Sequence, residues 1–362
     1  MKQPIKTAGE FFHLIRFSCK TAPPNSSGFA SVLKRALYLW RKEEYLPWEG
    51  FRFGLYDPDL DKETLSRYIS KKSLMKIQAR LNPGSWSPVT EDKSLFYRYC
   101  GALGIPMPRL YAIFFKNSPG WSPRGMRLFT PEDWIQFFGQ NLPETGFVIK
   151  PSKGVYGEKI MVFDKNREGI RDSSEKPVTP EQILHTMETD LKYDSFIIQE
   201  RLCNHEEIIR LSKTKGLQTV RIVTHVNKQG VARIIVANLK AITGKKIIDN
   251  FDRGLTGNVL IEVFTDTGIL KKAMTINEKG DGTKIIITHP KTGVAFEGFQ
   301  LPLWEESCAL ARRAAALFLR IRTIGWDVAL TPRGPVIVEG NMWWDPPNRF
   351  LCADKIREAL KH

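Results

Sequence analysis

No apolar stretch in this 362-residue sequence approaches the ~20 residues that cross a bilayer as a helix. The N-terminus has no secretory leader pattern either, because its apolar piece, Phe11 to Phe17, is short and broken by His13 and Arg16. Cysteine is scarce. Five residues (Cys19, Cys100, Cys203, Cys308, Cys352) stand far apart without a CxxC pair, which predicts reduced thiols, speaks against a zinc site and sets the cytoplasm as the expected location. There is no Ser-His-Asp pattern, no GxSxG and no reactive Cys–His pair, so catalysis through a protein nucleophile is not expected. Arginine-rich tails, RNA-binding aromatic signatures and helix-turn-helix patterns are missing too, and nucleic acid is not an expected partner. Residues 1–90 carry no glycine-rich Rossmann turn.

What is abundant is positive charge. Lysine and arginine number 54 against 39 acids, a formal net charge of +15, which calls for an acidic partner such as nucleotide phosphates, an anionic substrate or a membrane face. The most organised stretch runs from Gly325 to Asn341, two apolar segments joined by Thr331-Pro332-Arg333-Gly334. Proline presets φ and glycine tolerates positive φ, so the stretch predicts a hairpin. Folded about Arg333, it sets Asp327 roughly opposite Glu339, with Asn341 on the same face two residues on. Two carboxylates and an amide oxygen on otherwise buried strands need positive charge between them, and Mg²⁺ takes such all-oxygen ligands. A solvated strand end with ordinary surface acids is the plainer alternative.

The remaining chain reads in order. Residues 1–90 are expected to be helical and loop-rich. One amphipathic helix runs from an N-cap at Ser31 to Glu44, packed on the body or lying on a membrane surface. A second covers Lys62 to Leu81, stopped by Asn82-Pro83-Gly84. Another starts near Thr90 and runs through Lys93 to Cys100, and Arg109 to Phe115 follows as a strand. Thr130 and Thr179 are expected to cap further helices, the second reaching about Leu191. Phe147-Val148-Ile149-Lys150-Pro151 reads as a buried strand carrying a lysine. The glycine-bearing loop Ser152 to Glu158 and a return strand from Lys159 to Phe163 follow it, which suits a flap over phosphates or a plain hairpin turn. GxxxxGK[ST] is absent there, so it is no P-loop. Ser195 to Leu202 is a strand leaving its apolar pattern at Gln199-Glu200, able to offer backbone groups to a purine edge or simply emerging into solvent. Thr219 to Val226 and Val231 to Ile242 are strands that each set one cation, Arg221 or Lys240, in an apolar run, to be paired or aimed at an anion. Asp249 to Asn258 is a polar loop suited to phosphate or substrate contact, or an ordinary surface loop. Strands return at Val259–Phe264 and Lys284–Thr288. A helix follows from Leu303 to Arg322. Trp343 and Trp344 either line a substrate cleft or belong to the core.

This succession resembles the ATP-grasp superfamily, over roughly Val89 to Phe350. The residues that carry the resemblance are Asp92-Lys93 before Gly-Ile-Pro, Phe-Val-Ile-Lys-Pro with its glycine loop, Ile-Gln-Glu, Val-Arg, Asn-Leu-Lys, Asp-Asn-Phe and Asp…Glu-x-Asn. Within it, the chain is similar to the sugar-transfer-associated ATP-grasp proteins, relatives of the α-L-glutamate ligase type. The resemblance implies an α+β fold in which two subdomains clamp ATP: a helical region over 1–90, a first grasp part over 91–202 and a second over 203–362. It implies Lys93 and Lys150 on the nucleotide phosphates and Ser152, Lys153, Gly154 and Gly157 in the phosphate loop. Gln199, Glu200 and Leu202 fall at the adenine, and Glu207 at the ribose. Arg221, Lys240 and Asn250 face the γ-phosphate and acceptor, and Asp327, Glu339 and Asn341 hold two Mg²⁺, with Mn²⁺ an admissible substitute.

The activity so implied is ATP-dependent ligation of a carboxylate, free or glycan-linked, to an amine or related nucleophile through an acyl phosphate, in glycan or natural-product assembly. Two alternatives stand beside it: transfer of the γ-phosphate to a hydroxyl acceptor, and a nucleotide-binding module without turnover. The N-terminal region departs from the usual Rossmann-like domain that precedes the grasp, so the family supplies no substrate-side residues.

Overall fold

The computed structural model describes residues 8–154, 157–244, 256–350 and 352–361. Two seven-stranded antiparallel sheets organise it. The first contains β1 (Leu110–Phe115), β2 (Ser118–Trp121), β3 (Phe147–Pro151), β4 (Met161–Asn166), β5 (Gly169–Asp172), β6 (Pro177–Val178) and β7 (Ser195–Glu200), in the order β2-β1-β7-β3-β4-β5-β6. The second contains β8 (Thr219–Val226), β9 (Ala232–Ala241), β10 (Val259–Val263), β11 (Leu270–Ile276), β12 (Thr283–Ile286), β13 (Thr323–Thr331) and β14 (Gly334–Asn341), in the order β12-β11-β10-β9-β8-β13-β14. β-Branched runs such as Thr-Val-Arg-Ile-Val-Thr in β8 suit the pleated, half-buried surface.

Helices supply the rest: α1 (Ala8–Thr21), α2 (Phe29–Arg41), α3 (Pro47–Arg52), α4 (Lys62–Ser66), α5 (Lys71–Leu81), α6 (Ser87–Glu91), α7 (Lys93–Ala102), α8 (Pro131–Gln136), α9 (Pro180–Glu188), α10 (Glu206–Ser212), α11 (Trp304–Leu317) and α12 (Ala353–Ala359). Helices α1 to α3 share an apolar cluster of their own around Leu14, Val32, Leu39, Trp40 and Phe51. The apolar stripe of α2 is therefore buried against the neighbouring N-terminal helices. Among the described residues no helix is long and apolar enough to cross a membrane.

Several boundaries differ from the sequence expectation. Helix α2 begins at Phe29 with Gly28 as its cap, so Ser31 falls inside the first turn. The helix expected over Lys62 to Leu81 is two helices. The Asn348 side-chain amide accepts from Ile69 N (2.9 Å) and donates to Ile69 O (2.7 Å), holding the link extended, and Ser70 then caps α5 through Ser73 N. Asp92 likewise separates α6 from α7, its carboxylate accepting from Ser94 N at 2.9 Å. Helix α9 stops at Glu188. Helix α11 stops at Leu317 because Phe318 turns in against Phe96, Tyr99 and Trp326, with ring centroids 5.0 Å apart in the last two pairs. Strand β11 had no counterpart in the sequence reading; its Leu-Lys-Lys-Ala-Met-Thr-Ile mixes cations into the pattern.

Helix α7 couples the sheets. Phe96, Tyr97 and Cys100 enter the main core with Ile113 and Ile197 of the first sheet and Ile222, Trp326 and Ile337 of the second. A Cβ on Gly340 would lie 2.9 Å from the Phe96 ring and 3.1 Å from that of Trp326, so only glycine lets α7 press against the strand between Glu339 and Asn341.

Candidate active site

The β13–β14 hairpin forms in the expected register, with Asp327 opposite Glu339 and Gly325 opposite Asn341. Asp327 also pairs with Arg221 of β8, and Arg221 with Asn238 of β9. Cross-strand partners share a face. Asn238, Arg221, Asp327 and Glu339 therefore form one polar row across four strands, and all four line a single cleft of about 950 Å³.

Asp327 is the electrostatic centre of the row. Arg221 grips it with two nitrogens, Nε to Oδ1 at 2.5 Å and an Nη to Oδ2 at 2.9 Å. Lys240 Nζ lies 2.9 Å from Oδ2. Burial alone would push this carboxyl up; the two cations outweigh burial and hold it well below the usual carboxylate range. Burial also works against the Arg221 charge, and Asp327 more than compensates, raising its pKa.

Across the cleft, Lys150 stands on β3 with Nζ 3.1 Å from the Tyr97 hydroxyl, to which it donates, and 5.1 Å from that ring's centroid. Burial, with Lys93 adding like-charge repulsion, brings its pKa down to about 7, against the opposing pull of Glu339 and Asp327. Lys93, the first residue of α7, joins the two sides. Its Nζ donates to Gly154 O (2.8 Å) and sits 3.1 Å from Glu339 Oε1, while its backbone N donates to Ser152 O at 2.8 Å.

The residues expected to form a phosphate loop divide. Gly154, Gly157 and Lys153 line the cleft, and Gly157 has φ +71°. Ser152 does not line it; it is fully buried, with N bound to Ser195 O, and its Oγ has no hydrogen-bond partner among the described residues. At the end of β7, Gln199, Glu200 and Leu202 line the cleft. Gln199 Oε1 accepts from the Tyr97 hydroxyl at 2.6 Å. Glu200 is tied to Arg333 and to Arg109 N (3.1 Å). Glu207 does not line the cleft: it lies in the first turn of α10, where Arg210 holds it at 2.6 Å. Asn250 and most of the loop from Asp249 lie outside the described residues. Trp343 and Trp344 differ in role. The first is half-buried at the cleft, and the second, 2% exposed, bonds Thr323 Oγ1 through its indole.

Sequence reading missed Tyr97, Asn238 and a wall contributed by the N-terminal region, namely Trp48, Arg52, Phe53 and Lys71. Tyr97 had a usable signal, since it stands four residues after Lys93 and so on the same helix face. Fully buried, its hydroxyl serves both Lys150 and Gln199. Tyr97→Phe is expected to cost ~1–3 kcal/mol by stranding these two groups. An unchanged urea midpoint would contradict that network.

Asp327, Glu339 and Asn341 offer oxygen donors only, the chemistry that Mg²⁺ accepts. They form no closed cage, because Arg221, Lys240 and Lys93 already engage the two carboxylates. Among the described residues no group of three or more His, Cys, Asp or Glu could hold a metal. The set suits an ion that arrives with phosphates and takes one or two carboxylate oxygens from the protein.

No curated protein matches the chain in sequence. Among solved structures it is similar to a phosphoribosylamine–glycine ligase from Thermotoga maritima, at 14% identity over 72% of this chain and 50% of that one, TM-score 0.37. The chain thus spans half the length of that ligase. It is also similar to a D-cycloserine synthetase, at 12% identity over 88% and 82% of the two chains, TM-score 0.41. A third is an L-amino acid ligase from Bacillus licheniformis, at 12% identity over 89% and 61%, TM-score 0.40. Residues 74–347 match the model of the sugar-transfer associated ATP-grasp family, and the chain belongs to that family.

Proposed function

We propose that this protein is an ATP-dependent ligase that activates a carboxylate as an acyl phosphate and passes it to an amine or related nucleophile. The observation that carries the reading is the charge between the two sheets. Four cations, Lys93, Lys150, Arg221 and Lys240, gather there around two carboxylates, Asp327 and Glu339. A surplus of buried positive charge is costly by itself and is relieved by a polyphosphate.

In this reading Lys93 and Lys150 hold the nucleotide phosphates, with Lys153, Gly154 and Gly157 closing over them. Gln199, Glu200 and Leu202 meet the base, and Tyr97 orients both Lys150 and Gln199. Asp327, Glu339 and Asn341 would hold Mg²⁺, which when bound supplies neutralisation of the phosphate charge. A substrate carboxylate oxygen attacks the γ-phosphorus, the bond to the bridging oxygen breaks and ADP leaves. The incoming nucleophile then attacks the acyl carbon, expels phosphate and gives up its proton. Arg221 and Lys240 stabilise charge on the transferred group. Such chemistry needs positioning and fixed charge more than a protein nucleophile.

Incubation with ATP, Mg²⁺, hydroxylamine and a mixture of uronic and amino acids tests the reading by mass spectrometry. An acyl hydroxamate with stoichiometric ADP is the expected product. A phosphorylated hydroxyl compound without hydroxamate would make the protein a phosphotransferase, and no ADP with any acid would leave only a binding module. Glu339, with its side chain 30% exposed, is expected to tolerate replacement: Glu339→Ala should abolish turnover and shift stability by no more than about 1 kcal/mol. Retained turnover would remove Glu339 from the site.

A further inference from the structure

The cleft continues past the charged row into the N-terminal helices. Trp48 and Arg52 of α3, the adjoining Phe53 and Lys71 at the start of α5 line it together with Trp343 and Asp345 beyond β14. This wall is firmly built. The Glu49 carboxylate, 1% exposed, accepts from Leu46 N (2.9 Å) and Lys71 N (2.8 Å), joining the starts of α3 and α5. Tyr56 Oη donates to Pro47 O at 2.9 Å, and a Cβ on Gly50 would meet the Tyr56 ring at 2.4 Å. Lys71 Nζ reaches Asp345 at 2.7 Å, linking the wall to the segment that follows the strand bearing Glu339 and Asn341.

The composition differs from that of the nucleotide half. Three half-buried aromatic residues, Trp48, Phe53 and Trp343, stand among Arg52, Lys71 and Asp345. A fatty acyl chain would desolvate these charged groups without replacing their hydrogen bonds. A small amino acid would leave the aromatic surfaces uncovered. A pyranose ring satisfies both, because its C–H faces lie on aromatic planes while its hydroxyls meet charged donors and acceptors at the edges.

We propose that this half of the cleft binds a glycosyl unit bearing a carboxylate, so that the acid being activated is a sugar acid. Its ring rests on Trp48 and Trp343, and its carboxylate points toward Arg221 and the transferred phosphate. The proposal rests on the ligase reading given above.

The test is calorimetric titration of the full chain, saturated with Mg²⁺·ADP, using D-glucuronate and D-galacturonate. Glutamate and phenylacetate serve as non-sugar acids. One of the uronates is expected to bind more tightly than either control. Trp48→Ala and Trp343→Ala should each weaken uronate binding about tenfold, the loss expected of one stacked aromatic, with ADP affinity unchanged. Trp48→Phe, which keeps a ring in place and guards against misfolding of the alanine variant, should lose less. Uronates that do not bind, a control that binds as tightly, or tryptophan variants that bind uronate like the wild type would overturn the proposal. Failure of Mg²⁺·ADP itself to bind would strike the ligase reading instead. ADP binding with hydroxamate formed only from a non-sugar acid would leave that reading standing and remove this one.

Discussion

Lys150→Met is expected to make the protein more stable and unable to bind nucleotide. Lys150 is 5% exposed, and burial and Lys93 bring its pKa down to about 7 from ~10.4 in an unfolded chain. Between these values the unfolded chain holds more protons, so stability rises with pH across that interval. Below about pH 7 the charged form is buried and its cost is fully present. Methionine fills similar space without charge and should add ~1–4 kcal/mol there, with the two melting curves converging toward pH 10. Phosphates beside the ammonium would raise its pKa again, so the wild type is expected to take up a proton on binding nucleotide at pH 8. Titration calorimetry in buffers of different ionisation enthalpy reads that proton directly. A variant that is less stable at pH 6.5, or that binds nucleotide like the wild type, would contradict this account of Lys150.

Asp327→Ala should fail in the opposite way. Its carboxylate, 8% exposed, is the shared counter-ion of Arg221 and Lys240. Removing it leaves two buried cations uncompensated, which typically costs ~3–5 kcal/mol. Because the folded carboxyl is held below its ordinary value, its contribution is present at neutral pH and is lost only as pH falls below the usual carboxylate range. Combining Asp327→Leu with Arg221→Met and Lys240→Met should recover most of the lost stability without restoring turnover. Urea unfolding of the single and triple variants checks both statements. A single variant within about 1 kcal/mol of wild type would show that the ion cluster does not hold the sheet.

The β13–β14 hairpin and the strands β8 and β9 beside it were readable because their information is local. The Thr-Pro-Arg-Gly turn sets the hairpin register, and a period of two then fixes which side chains face the cleft. A lone cation in an apolar strand pointed in the same way to Arg221 and Lys240. What stayed hidden depends on contacts distant in sequence. The break between α4 and α5 is made by Asn348, 279 residues away from Ile69. The end of α11 follows from the demand of Phe318 for the core. Glu207 has the right chemistry for a sugar hydroxyl but sits outside the cleft, paired within its own helix turn. The aromatic wall around Trp48 could not be found from periodicity, since it exists only where α3 and α5 are stapled together by Glu49.

The central claim is that Lys150 and the Asp327–Glu339–Asn341 corner embrace one triphosphate. A crystal structure with Mg²⁺ and a non-hydrolysable ATP analogue addresses it most directly. The account predicts phosphates between Lys150 Nζ and Glu339, with Lys93 released from the Glu339 carboxylate to meet them. An analogue bound elsewhere, or phosphates in contact with only one of the two sheets, would contradict it.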